Sequence, residues 1–170
     1  MPVLFIDYYI NPLQNTTKSP LLLGKILGKE ERAQALVDFY NQQMTPIFAR
    51  LEKIQTPKPK IYLECAYNGP AEYGTSYGDL AWGRIIKKSG GENIAEPILR
   101  DKYNPLSPEY VIEQNPDIII LTGRNYATPG SVKMRYLAST EDVRNSLQAY
   151  VDRPGWEMPN AVKNRKVYSI

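Results

Sequence analysis

LSPEYVIEQNPDIII, residues 106–120, reads as a helix that feeds straight into a buried strand. Ser107 is a good N-cap, Pro108 suits the first helical position, and Pro116 stops the helix just ahead of it, so both ends are marked. Asp117 then leads into Ile118, Ile119, Ile120 and Leu121, a continuous apolar run of the kind expected where a parallel strand is covered on both faces. The unit belongs to an α/β core. The strand ends in Thr122-Gly123-Arg124-Asn125-Tyr126, and open α/β sheets bind ligands beyond the carboxyl ends of their strands.

Upstream, Ile61 to Cys65 reads as a second strand, opening into the loop Ala66 to Gly74, rich in turn formers and aromatics. Thr75 or Ser76 is expected to cap the next helix, with Asp79 completing a capping box, and that helix closes at Gly90-Gly91. Asn93 to Ala95 adds a little extended structure, and Glu96 to Leu106 reads as loop. Downstream, residues 127–138 read as irregular, Ser139 caps a helix running to about Tyr150, Arg153 to Pro159 is a proline-rich loop, and Lys166 to Ile170 is a last strand. At the amino-terminal side, Val3 to Asp7 reads as a short strand and Tyr8 to Thr17 as a loop. Ser19-Pro20 then starts a short helix closed by Gly28. Ala33, Val37, Tyr40, Met44, Ile47, Leu51 and Ile54 form one apolar stripe, with a kink or break expected at Pro46. The stripe is short for a coiled coil, so one long helix packed across a globular surface is expected, ended by the Gln55 to Pro59 connection. Strands standing almost at either terminus suggest a chain cut at both ends.

At 170 residues and 42% hydrophobic, the chain has material for one ordinary core. A net charge of +3 carried by scattered residues does not indicate a nucleic-acid partner. One cysteine, Cys65, excludes an internal disulfide framework and reads as an inert strand thiol. Histidine is absent, which removes the commonest metal ligand and the commonest general base. No Ser-His-Asp or Cys-His arrangement can form, no phosphate-binding glycine loop follows a strand, and Glu30-Glu31 and Glu141-Asp142 fit solvated helix faces. No catalytic residue and no metal-ligand set emerge, so the sequence does not support an enzyme. No run reaches membrane-spanning length, and the amino terminus lacks a secretion-signal pattern. Tyrosine, at 13, recurs at loop positions, where an apolar ring with a polar tip suits a ligand surface.

KIYLECAYNGP (60–70), SGGENIAEP (89–97), LSPEYVIEQNPDIIILTG (106–123) and NRKVYSI (164–170) together resemble the carboxy-terminal lobe of the solute-binding proteins that feed ABC importers of siderophores, haem and cobalamin. The resemblance implies an α/β fold: a three-layer α/β/α lobe with a mostly parallel, Rossmann-like sheet, plus one long interlobe helix. Residues 1–28 would be a remnant of the amino-terminal lobe, 29–56 the connecting helix, and 57–170 the ligand-binding lobe. Most of the first lobe and the family's closing helices are missing, which implies a fragment. Carried across, Tyr67, Asn68, Tyr73 and Tyr77 would line the cleft, as would Arg124, Asn125 and Tyr126. Glu109 would project to meet arginines of the membrane permease.

Independently of the family, aromatic faces, a guanidinium fork and a helix amino terminus at Ser76 to Asp79 suit a flat, anionic, oxygen-rich ligand such as a ferric chelate. Against this stand loop-packing tyrosines, a solvated Arg124, and a Glu109 that merely complements the helix dipole. The function implied is capture of a metal chelate, first among them a ferric siderophore, with cobalamin also open, for delivery to an ABC permease. No cofactor and no nucleic acid would be involved, the full-length form would be a monomer, and the location would be periplasmic or extracellular, with a lipoprotein anchor allowed. The competing class is a chelatase or nitrogenase-like metal-cofactor protein, which wants a cysteine or histidine in a cleft loop, where only Cys65 is on offer. A flavodoxin-like interaction domain would want an acidic cluster or phosphate loop at the strand ends, and neither is found.

Overall fold

The computed structural model describes residues 3–123, 131–134 and 138–170. In chain order the elements are α1 (Pro12–Leu27), α2 (Glu30–Leu51), β1 (Lys60–Cys65), β2 (Thr75–Tyr77), α3 (Trp82–Lys88), β3 (Glu92–Asn93), α4 (Glu96–Leu99), β4 (Tyr103–Pro105), α5 (Pro108–Gln114), β5 (Ile118–Thr122), α6 (Thr140–Val151), α7 (Asn160–Lys163) and β6 (Val167–Ser169).

The sheet order is β4-β2-β1-β5-β6, with β3 also pairing to β1. Strands β1, β3, β5 and β6 are parallel, while β2 runs antiparallel to both of its neighbours, β1 and β4. The deciding stretch behaves as read. Ser107 accepts the Tyr110 N–H as N-cap, and Asn115, in the left-handed conformation, ends α5 before Pro116. In register, Tyr62 faces Ile119 and Leu63 faces Ile120. The period of two therefore sends alternate residues to opposite layers. Tyr62, Ile119 and Leu121 pack with Val111 of α5, Tyr150 of α6, Ala161 of α7 and Trp156. On the other face Ile61, Leu63, Ile118 and Ile120 meet Ile86 and Trp82 of α3. Three layers result, with β1 and β5 covered on both sides.

The amino-terminal third departs from the sequence expectation. Residues 3–7 are in no strand and Val3 and Phe5 are exposed, because the sheet offers their backbone no partner. The helix expected to begin at Pro20 starts eight residues earlier, at Pro12, and runs through Pro20. Likewise α2 is continuous through Pro46. A proline inside a helix costs about 3 kcal/mol, which packing can outweigh. Here α1 and α2 form a tight hairpin about Gly28: an added Cβ at Gly24 would lie 2.4 Å from the Ala33 Cβ. Of the long stripe only Ala33 and Val37 are buried, while Ile47 and Ile54 are exposed. Thr75 to Tyr77 is a strand rather than a helix cap, held between β1 and β4. No helix among the described residues is long and apolar enough to cross a membrane.

Candidate functional site

Pro105, Thr75, Cys65 and Thr122 are neighbours in one row across the sheet, so the exits of β1 and β5 share an edge. The two candidate loops therefore leave the same rim. They are joined there: Ala66 N–H donates to the Thr122 carbonyl at 3.0 Å, and the Thr122 hydroxyl donates to the Tyr67 hydroxyl at 3.1 Å. Val132 N–H donates to the Ala66 carbonyl at 3.0 Å as the chain returns to the rim. Tyr67 is half-buried and Asn68 exposed at this edge. Arg124, Asn125 and Tyr126 lie outside the described residues.

Tyr73 is turned inward. Its hydroxyl accepts the Trp156 Nε1–H at 2.7 Å and its ring meets Trp156 edge-on. Beneath it lies a group that sequence reading passed over. Glu64, on the interior face of β1, and Arg153, after α6, form a buried bidentate pair at 2.6 and 2.8 Å. The guanidinium also donates to the carbonyls of Pro70 and Glu72, each at 2.7 Å, and lies 4.4 to 4.8 Å from the centroids of the Tyr73, Tyr150 and Trp156 rings. Glu64 further accepts the Gly74 N–H at 2.8 Å and the Tyr62 hydroxyl at 3.1 Å, and Tyr150 accepts the Gly69 N–H at 3.1 Å. Burial pushes the Tyr150 phenol up to about 12 and holds Tyr62 well above the ordinary range, with the charge of Glu64 adding to both. For Arg153 burial disfavours the charge, but the bonds and charge of Glu64 outweigh it and raise its pKa. A polar glutamate inside an apolar strand (KIYLEC) was the available signal, since a carboxylate at an interior strand position needs a partner.

Tyr77, expected to line the cleft, lies instead in β2 on the α3 face. The Cys65 thiol is 3.8 Å from its hydroxyl, and its ring packs against Tyr9 and Tyr103 with centroids 6.3 and 5.9 Å apart. Burial, and then Cys65, raise its pKa. Tyr9 and Tyr103 were not picked out from the sequence, because their segments read as loop. The helix amino terminus expected at Ser76 to Asp79 is absent there, since α3 begins at Trp82. Cys65 is buried, as its strand position implied. Among the described residues no group of three or more histidine, cysteine, aspartate or glutamate side chains is placed to hold a metal ion.

Glu109 is exposed on the first turn of α5. Because α5 feeds the start of β5, its amino end points back towards the rim, next to Pro105 in the shared row.

The sequence pattern of the periplasmic binding protein family matches residues 18–170. The chain belongs to that family. Its fold is the family's mixed α/β fold with an open, mostly parallel sheet. The TroA-like periplasmic binding protein FepB from Veillonella parvula is similar over 98% of this chain and 48% of its own, at 37% identity and a TM-score of 0.88. IsdE of S. aureus, solved in complex with heme, is similar over 100% of this chain and 59% of its own, at 25% identity and a TM-score of 0.70. A periplasmic solute binding protein from Veillonella parvula covers 92% of this chain and 42% of its own, at 28% identity and a TM-score of 0.62. The chain spans about half the length of the solved structures it matches. No curated protein matches it.

Proposed function

We propose that this chain is the carboxy-terminal, solute-facing lobe of a binding protein that captures a metal chelate outside the cytoplasmic membrane and hands it to an ABC permease. The role is binding without catalysis. The observation that carries it is the common rim of β1 and β5, where Tyr67 and Asn68 stand beside the exit of the second loop. Membership of the periplasmic binding protein family and the likeness to FepB support it. A ferric siderophore is the favoured cargo: the exposed Asn68 amide and the half-buried Tyr67 ring suit an oxygen-rich, partly aromatic complex, and Arg124, Asn125 and Tyr126 are proposed as the facing contacts. The likeness to IsdE keeps haem within the panel to be tested. Glu109, exposed on the helix that begins at this rim, is the proposed permease contact.

Tyrosine and tryptophan fluorescence titrated with ferric desferrioxamine B, a ferric catecholate, haemin and cobalamin tests the reading. Saturable quenching by one of them, weakened about tenfold in Tyr67→Ala through loss of one aromatic contact, is the expected result. Absence of saturable quenching by all four would remove the solute role.

A further inference from the structure

We infer that Arg153 is a positioning residue, which sets the shape of the rim loop of residues 66–74 through bonds to residues 81 and 83 positions earlier in the chain. This rests on the reading that the loop meets solute.

From Gly69 to Gly74 the loop is anchored on its inner side. Arg153 takes the Pro70 and Glu72 carbonyls, Tyr150 takes the Gly69 N–H, Glu64 takes the Gly74 N–H, and Trp156 bonds Tyr73. Tyr67 and Asn68 have no part in this inner set and remain at the edge. A guanidinium is the one side chain that can bond a carboxylate bidentately and still send donors to two backbone carbonyls, since its five N–H groups fan out in one plane. Lysine lacks that fan. A buried ion pair is also a poor device for stability alone, because apolar side chains of similar volume often serve as well. What the apolar pair would not do is hold two loop carbonyls at fixed points. The Tyr73, Tyr150 and Trp156 rings around the guanidinium fix its plane in turn. Loop geometry is thereby tied to the segment after α6.

The test compares the parent chain with the double variant Arg153→Met/Glu64→Leu and with Arg153→Lys. The readouts are melting temperature, amide hydrogen exchange, and affinity for ferric desferrioxamine B or whichever probe the parent binds. Gly69 is the reporting amide, because its partner Tyr150 is unchanged in both variants. The expected result is exchange at Gly69 at least tenfold faster, core amides such as Ile119 and Leu121 unchanged, and probe affinity at least tenfold weaker. Unchanged exchange at Gly69 overturns the inference. So does acceleration of loop and core amides together, which marks a purely structural pair. If the double variant fails to fold, Arg153→Lys decides by the same readouts. Should the parent bind no probe, the solute reading falls, and loop-selective exchange alone decides whether Arg153 shapes the loop.

Discussion

Replacing Gly74 by alanine pits two effects of opposite sign against each other. Removing a glycine stiffens the unfolded chain and stabilises by about 0.4–1 kcal/mol where the native backbone tolerates a side chain. At Gly74 the added Cβ would sit 2.0 Å from the Cys65 carbonyl oxygen, 2.9 Å from its carbonyl carbon and 3.2 Å from the Glu64 Cγ. A carbon needs about 3.3 Å from an oxygen, so β2 must back away from β1 by more than about 1 Å. That movement breaks the 2.8 Å bond from Gly74 N–H to the buried Glu64 carboxylate. A hydrogen bond to a charged group contributes about 1.5–3 kcal/mol, and the adjoining Cys65–Thr75 pairing is strained as well. The losses win, and the net expected destabilisation is about 1–3 kcal/mol, or roughly 2–12 °C in melting temperature for a chain of this size. Urea unfolding followed by tryptophan fluorescence, with a thermal melt beside it, measures the difference. A Gly74→Ala chain as stable as the parent, or more so, would refute the close approach of β2 to the end of β1.

Ser107→Ala and Ser139→Ala each remove a side chain that accepts an N–H at the start of a helix. Each should cost about 1 kcal/mol in urea unfolding, and a loss below a few tenths would show the caps to be idle. The Tyr150 phenol is held at about 12 in the folded chain, mainly by burial, and ionises near 10 when unfolded. Its folded pKa is raised, so its contribution is whole below pH 10 and is lost as pH climbs through about 12. Urea midpoints should therefore fall between about pH 10 and 12, less steeply in Tyr150→Phe, and an identical slope in both chains would contradict the burial of that hydroxyl. Glu109→Ala should lower importer-coupled uptake several-fold while chelate affinity holds, and an unchanged uptake rate would retire it as a permease contact.

The rim was legible because it depends on chain direction alone: two parallel strands with loops at their carboxyl ends must share an edge, and KIYLEC and DIIILT announce themselves by composition. Which residues of a loop face outward was not legible. Tyr67 and Tyr73 are alike in the chain, yet one bonds Thr122 at the edge and the other is drawn inside by Trp156 and Arg153. The β2 segment was misjudged for a similar reason. Thr75-Ser76 has the local form of a helix cap, and only the presence of β1 and β4 on either side makes it a strand.

By itself the sequence determined the two parallel strands at Ile61 to Cys65 and Ile118 to Leu121, the caps at Ser107 and Ser139, and the stop at Pro116, all of which rest on local composition and backbone preferences. It also determined that chemistry relying on histidine is closed to these residues. Tertiary structure alone decided that two helices would run through Pro20 and Pro46, that Tyr77 would join Tyr9 and Tyr103, and that Glu64 would find Arg153. Such pairings cost chain entropy and are repaid only when distant segments are already packed together, so no local pattern announces them.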